Sequence, residues 1–258
     1  MSLENFSLDY FNLTDKVAIV TGGNTGLGQG YAVALAKAGA NVFVVTHNDN
    51  WKETQDLIEA TGRKAHFKQA ELTDRESIKE IVEECVSVFG RIDILVNNAG
   101  TIRRAPLLEY KEEDWNAVMD INLNAVYFLS QEVAKVMVKQ ESGKIINIGS
   151  MLSFQGGKFI PPYTASKHGV AGLTKAFANE LGQYNIQINA IAPGYIETAN
   201  TDPIRADEKR NAEILSRIPA GRWAKPSDLM GVVVFLASKA SDYMNGHILA
   251  VDGGWLAR

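Results

Sequence analysis

At 258 residues, 46% hydrophobic and 22% charged, the chain carries enough apolar material for one α/β core, and a single domain over 1–258 is expected. Its net charge of −4 speaks against nucleic acid or an anionic membrane as a partner. No run reaches the ~18 apolar residues of a membrane span and the N-terminus holds acid without a long apolar run, so a cytoplasmic location is expected.

Residues 1–15 read as a lead-in whose Phe6, Leu8, Tyr10 and Phe11 lie against the body. Val17-Ala-Ile-Val20 predicts a buried strand, followed by the turn Thr21-Gly-Gly-Asn-Thr-Gly-Leu-Gly28 and a helix through Ala38 that Gly39 closes. Asn41-Val-Phe-Val-Val-Thr46 is a second strand, and 50–61 a helical segment. A third strand covers 64–70, and an amphipathic helix covers 74–89 and ends at Gly90. The fourth strand, Ile92-Asp-Ile-Leu-Val96, leads into Asn97-Asn-Ala-Gly100. One long helical region is expected over 112–140, a fifth strand over 144–148, and then a helix carrying Tyr163. A sixth strand covers 186–192, a charged irregular-to-helical stretch 193–222, a helix 226–238 and a last strand 248–251. Strands alternating with helices of this length mean βαβ units and a mostly parallel, doubly wound sheet with helices on both faces.

Two places in this order carry chemistry. Gly22, Gly26 and Gly28 lie between the first strand and first helix, where backbone can approach a pyrophosphate at a helix N-terminus. Their spacing is G-x-x-x-G-x-G, and their position at the head of a βαβαβ array makes the site one for a dinucleotide. The second strand ends in Thr46 and His47, without the acid that usually takes the adenosine ribose. No Lys or Arg stands in 46–51 or in the glycine loop to meet a 2′-phosphate, so NAD is expected. Glu71 either accepts from an adenine amino group or is a solvated acid before Thr73-Asp74.

The second place is Tyr163-Thr-Ala-Ser-Lys167. Tyr163 and Lys167 stand four apart on one helical face, and a fixed positive charge draws a phenol from its pKa near ~10 towards working pH. Ser150, at the end of the apolar run of Ile145, Ile146 and Ile148, meets that helix start in an α/β fold. Together they can polarise a carbonyl oxygen and pass it a proton. Cys85, in the apolar pattern of Ile78, Ile81 and Val82, reads as a buried spectator thiol, and the four scattered histidines give no metal site.

These motifs, with Asn122 and Pro193-Gly194, stand in the order and spacing of the short-chain dehydrogenase/reductase family, which the chain resembles over about 14–254. The resemblance implies a Rossmann-type sheet of seven strands and hydride transfer at nicotinamide C4. It implies Tyr163 as acid/base, Ser150 as the polarising hydroxyl, and Lys167 as the group that lowers the Tyr163 pKa and holds the nicotinamide ribose. Asn122 would anchor a water in a proton relay. Gly22, Asn24, Gly26, Leu27, Gly28, Thr46, His47, Glu71 and Leu72 would line the adenosine side of the cofactor. Asn97, Asn98, Ala99, Gly100, Ile148, Pro193, Gly194, Ile196 and Thr198 would line the rest with Tyr163 and Lys167.

Stretches outside the catalytic pattern resemble the family's sugar-acid dehydrogenases: Thr101-Ile-Arg-Arg104, Ser150 to Gly157, Arg205-Ala-Asp-Glu, Ile218 to Trp223 and Val251 to Arg258. A sugar acid needs a cation for its carboxylate, and Arg103 or Arg104 follows the fourth strand where such sheets bind ligands. Gln155 is a further substrate candidate. Residues 195–222 take the place of the family's substrate loop. Gluconate dehydrogenases are close competitors. A reductase of acyl-carrier thioesters would favour NADP and a basic docking patch. A redox sensor that only holds nucleotide has no need of Ser150, Tyr163 and Lys167 together. The family also implies a homotetramer, with contacts from 112–140, 163–182 and the C-terminal 253–258, where Trp255 and Leu256 are apolar residues at a chain end.

Overall fold

A computed structural model describes residues 7–258; Phe6 of the expected lead-in lies outside them. Seven strands form one sheet: β1 (Val17–Thr21), β2 (Asn41–Thr46), β3 (Ala65–Gln69), β4 (Ile94–Asn97), β5 (Gly143–Ile148), β6 (Ile186–Pro193) and β7 (Ile248–Val251). Their order is β3-β2-β1-β4-β5-β6-β7, and every neighbouring pair is parallel.

Period-two alternation sends successive side chains to opposite faces. Ala18, Val20, Val42, Val44 and Val96 pack with α1 (Gly26–Lys37) and, later in the chain, the helix Ser227–Ala237. Val17, Ile19, Phe43, Leu95 and Ile145 pack on the other face with α3 (Arg75–Phe89) and the helix Ala125–Gln140. Both faces are therefore covered, which is why the inner strands read as unbroken apolar runs. The short α2 (Lys52–Glu59) buries Thr54 and Ile58.

The chain passes from β1 outward to β2 and β3, then returns to place β4 on the other side of β1. This reversal opens a crevice at the strand C-termini, between the loops after β1 and β4. The motifs singled out in the sequence converge there.

Two expectations need correction. Leu8 is 81% exposed and does not lie on the body, whereas Phe11 packs on Phe235 with ring centroids 6.5 Å apart. The region 112–140 is not one helix: α4 (Glu112–Met119) gives way to a π turn at Asp120–Asn124 before α5 (Ala125–Gln140) resumes. The Ala125 N–H reaches back five residues to the Asp120 carbonyl. The cause is Asn122, fully buried, whose amide accepts from the Thr101 N–H (2.8 Å) and donates to the Thr101 carbonyl (2.9 Å). A π bulge of this kind turns a side chain out of helical register toward another partner. The remaining helices are α6 (Pro161–Leu181), α7 (Asp202–Ala206), α8 (Glu208–Leu215) and α9 (Ser227–Ala237). No helix among the described residues is long and apolar enough to cross a membrane.

Candidate active site

The glycine loop has a cofactor cradle's geometry. Gly22 is left-handed (φ 61), and a Cβ on Gly28 would stand 2.0 Å from the Gly22 carbonyl oxygen, so only glycine lets the turn close onto α1. Thr25 at the head of α1 makes no side-chain cap, which leaves first-turn N–H groups open to an anion. The loop is fixed from the β4 side. Asn98 Nδ2 donates to the Thr21 and Gly22 carbonyls (2.9 and 3.2 Å), and the N–H groups of Asn98 and Ala99 both donate to Thr21 Oγ1 at 3.0 Å. Asn97 turns away from the crevice: its amide donates to Ser130 and Asn147, deep in the core. Gly194 packs on Asp252, where an added Cβ would meet Cα at 2.6 Å, and Ile196 bridges to Ala224. Thr198 faces Gly26 across the loop, its methyl 3.8 Å from a Cβ built there. A dinucleotide fits these residues.

The adenosine end is neutral and self-satisfied. Thr46 is buried with its hydroxyl on the Asn48 carbonyl, and Asn24 Nδ2 donates to Asn48 Oδ1 (3.0 Å) and the Asn50 carbonyl (2.9 Å). His47 is exposed, and the first cation beyond it, Lys52, pairs with Asp56. Glu71 accepts from the N–H and hydroxyl of Thr73 (3.1 and 2.9 Å), which matches the solvated helix-start acid. Leu72 is buried, and Leu27 packs on the core.

Strand β5 ends at Ile148, and Ser150 opens a short turn whose helical N–H groups it caps. Its Oγ accepts from the Leu152 N–H (3.1 Å), leaving the hydroxyl proton to give. Pro161 and Pro162 start α6, and Tyr163 and Lys167 follow on one face. Burial holds the Tyr163 phenol above its ordinary value, against the downward pull of a Ser150 hydrogen bond and of the Arg104 charge. The Lys167 Nζ donates to the Ile148 carbonyl at 2.6 Å and lies 5.5 Å from the Tyr163 ring centroid, while burial pushes it down to about 8. An ammonium has three donors, so this bond leaves two for other partners in the crevice.

Two further residues hold the site together. Ser153 Oγ accepts from the Ser150 N–H (3.2 Å) and donates to the Lys167 carbonyl (2.9 Å), tying the serine turn to α6. Ser166 Oγ donates to the Tyr163 carbonyl (2.8 Å) and accepts from Asn122 (3.3 Å), tying α6 to the π turn. The signal for Ser153 was available as the capping-box spacing Ser150-x-x-Ser153. Nothing local marked Ser166.

The two arginines part company. Arg103 is paired with Asp114 (3.5 Å) and Thr101 (3.2 Å), away from the phenol. Arg104 makes no ion pair among the described residues, and its charge is felt at Tyr163. Its segment is laid beside the tyrosine's by the Ala105 N–H on the Phe159 carbonyl (3.0 Å). Gln155 is half-buried on the turn after Ser150, and Lys158 is exposed. Cys85 is buried and pushed up to about 12 by desolvation, an inert thiol. Trp255 is 5% exposed inside its own chain, so its ring is covered there rather than by a neighbouring subunit.

The fold, glycine cradle and serine–tyrosine–lysine cluster define a nucleotide-dependent oxidoreductase, and the chain belongs to the short-chain dehydrogenase/reductase family. A family model described as enoyl-(acyl carrier protein) reductase matches residues 22–256. The chain is similar to the 2-dehydro-3-deoxy-D-gluconate 5-dehydrogenase of Bacillus subtilis (strain 168), 56% identical over 250 residues, 97% of this chain and 98% of that protein. A solved Agrobacterium tumefaciens structure with bound NADP, provisionally assigned as a 2-deoxy-D-gluconate 3-dehydrogenase, superposes with a TM-score of 0.90 at 50% identity, covering 97% of this chain and 100% of that one. A Beutenbergia cavernae structure with low-occupancy NADP, provisionally assigned as an NAD(P)-dependent gluconate 5-dehydrogenase, gives 0.92 at 47% identity over 96% and 99%.

Proposed function

We propose that this chain is an NAD-linked sugar-acid oxidoreductase that interconverts the 5-hydroxyl of 2-dehydro-3-deoxy-D-gluconate and the 2,5-diketo acid, in the breakdown of uronate-containing polysaccharides. One observation carries the substrate class: the exposed guanidinium of Arg104 makes no ion pair among the described residues and its charge pulls on the Tyr163 phenol, while its neighbour Arg103 is held by Asp114. A carboxylate on the substrate is the partner such a cation lacks. The 56% identity with the Bacillus subtilis enzyme supports the particular acid.

When bound, the nicotinamide supplies or takes the hydride. The chain's own groups manage the proton and the oxygen. Tyr163, kept protonated at neutral pH by burial, gives its proton to the carbonyl oxygen in reduction and takes it back in oxidation. Ser150 directs its free hydroxyl proton at the same oxygen. Lys167, tied to the Ile148 carbonyl by one of its three donors, has two left for the nicotinamide ribose and keeps its charge beside the phenol. Asn122 keeps the turn after β4 in line with α6 through Thr101 and Ser166.

NAD is the preferred cofactor, because Thr46, Asn48 and Asn24 offer a 2′-phosphate no cation, and Lys52 is engaged by Asp56. The preference is moderate, since no carboxylate grips the ribose; NADP in the relatives' structures fits that tolerance. The enzyme is a cytoplasmic homotetramer in this account, with exposed Leu107, Leu108 and Trp115 beside α4 as contact candidates.

The test is a panel of acids read by NADH formation: 2-dehydro-3-deoxy-D-gluconate, D-gluconate and a 3-hydroxyacyl thioester, each with NAD and NADP. The proposal requires the first acid with NAD to give the highest kcat/KM, and Tyr163→Phe to abolish it with NADH binding kept. A preference for D-gluconate would move the assignment to the competing gluconate dehydrogenase.

A further inference from the structure

The C-terminal segment takes no part in the chemistry above, yet it is locked into the substrate loop. Gly253 and Gly254 are both left-handed (φ 65 and 90) and turn the tail back over the loop. A Cβ on Gly254 would stand 2.9 Å from Pro219, and one on Gly253 3.0 Å from Ile218. The Ala220 N–H donates to the Gly253 carbonyl at 3.0 Å, and Arg258 reaches the Ser216 carbonyl at 3.2 Å. Asp252 accepts from the N–H groups of Gly254 and Leu256, both at 2.9 Å, and so sets the short turn that delivers Trp255.

Trp255 then closes a small core. It meets Tyr195 edge-on (centroids 4.9 Å, 65°), and Arg217 lies 3.9 Å over its ring. Met151, Ile214, Ile218 and Trp223 complete the cluster. The indole N–H has no hydrogen-bond partner there, so the residue is held for its ring. Met151 is the residue after Ser150, and Tyr195 follows Gly194. The cluster thus joins the serine turn, the cofactor strand and the second half of the loop.

The two halves of that loop are anchored unequally. Its base is zipped by the Ala224 N–H on the Tyr195 carbonyl (2.9 Å) and the Glu197 N–H on the Ala224 carbonyl (2.8 Å). In the first half, residues 199–206 bury no residue; Ile204 alone packs, half-buried, against the cluster, and Arg205 pairs with Asp202 nearby. The second half, from α8 to Trp223, buries Ile214, Ile218 and Trp223 in the tail's cluster.

We infer that Trp255 is a positioning residue: the tail bolts 208–223 down as a fixed wall of the substrate site and leaves 198–207 as the part that closes. The wall sets where the acid lies against Ser150. The inference takes from the proposed function only that 195–222 covers the substrate, and its proteolysis arm needs no substrate.

The experiment uses full-length Trp255→Ala and Trp255→Phe, with limited trypsin cleavage followed by mass spectrometry below the unfolding temperature of each. Lys209, Arg210 and Arg217 are cleavage sites in the bolted half. Cleavage there follows the population of open loop, so Trp255→Ala is expected to raise it about tenfold or more, with cleavage elsewhere unchanged. KM for the sugar acid should rise by ~10–100-fold, as expected when a binding wall shifts on the order of 1 Å, with the NADH Kd within about twofold. Trp255→Phe should restore both, since the ring is what is used. Unchanged loop cleavage in Trp255→Ala overturns the inference. So does a parallel loss of acid binding, NADH binding and thermal stability that Phe fails to rescue, which would mean a role in the fold alone. If Trp255→Ala does not fold, the double change Arg217→Gln and Arg258→Ala tests the same bolt from the surface, and unchanged loop cleavage in that variant counts equally against it.

Discussion

Replacing Arg104 by alanine tests the substrate assignment most directly. The guanidinium has no ion-pair partner among the described residues, so the substitution breaks nothing else in the chain that stability would report. A charge-assisted hydrogen bond to a carboxylate is worth about 1.5–3 kcal/mol, and its loss should raise KM for the free acid roughly ten- to a hundred-fold. The same substitution removes one of the two downward pulls on Tyr163, so the alkaline limb of kcat/KM for oxidation should move to higher pH. Arg103→Ala is the internal control. It loses a half-exposed pair with Asp114, worth about 0–1 kcal/mol of stability, and no substrate contact. The assay is KM for the acid and for its neutral lactone or amide with both variants. Equal weakening of acid and lactone by Arg104→Ala would point to a distorted site. An effect confined to Arg103 would refute the geometry by which the two arginines were told apart.

Four other outcomes follow from contacts in the structure. Ser153→Ala removes the link between the Ser150 N–H and the Lys167 carbonyl, two buried bonds together worth about 1–3 kcal/mol; kcat should fall ~5–100-fold with the NADH Kd little changed, and an undiminished kcat would count against the link. Alcohol oxidation should climb with pH through the alkaline range while ketone reduction stays level at neutral pH, because Tyr163 is raised and keeps its proton there; an oxidation optimum below pH 7 would contradict it. Lys167, held near 8 when folded against ~10.4 when exposed, gives stability that is fully present above the exposed value and lost as pH falls through about 8, so Lys167→Met should gain most in Tm below pH 8 and least above 10. Asp93 is buried and receives Lys16 (3.1 Å), Nε and one Nη of Arg91 (2.7 and 2.6 Å) and the Val17 N–H (3.0 Å), so Asp93→Ala should cost about 1–3 kcal/mol in urea unfolding, and a loss under about 0.5 would dismiss this cluster as a stabiliser.

The strands were legible because a sheet covered on both faces writes itself as short apolar runs between glycine punctuation, and β2 and β7 fall where the runs lie. The glycine cradle was legible for a related reason: Gly28 stands where no Cβ fits, so the sequence had to say so. What escaped depends on partners distant in the chain. The π turn at Asn122 exists because Thr101, 21 residues earlier, takes its amide, and the helical pattern on either side continues as if unbroken. Trp255 was expected at a subunit contact because composition shows an apolar terminus but not the Tyr195 and Arg217 that cover it.

Lys167 is the instructive case, since its spacing placed it beside Tyr163 and its hydrogen-bond partner came from another strand end. Four residues on a helix do place the ammonium beside Tyr163, and the 5.5 Å to the ring agrees. Proximity alone does not decide which acceptor the ammonium takes. Once both groups are buried, an unpaired carbonyl at the end of β5 offers a bond of 2.6 Å, shorter and stronger than a charge–phenol contact across the ring. Burial then depresses the lysine and raises the tyrosine, which moves the two groups away from the ion pair the sequence suggests. The downward pull on the phenol comes from a Ser150 hydrogen bond and the Arg104 charge. If Arg104 is the residue that meets the substrate carboxylate, binding the acid offsets that pull, and the phenol, already protonated at neutral pH, keeps its proton to a still higher pH. The contact that selects the acid would then move the alkaline limb of the profile upward when the acid is bound.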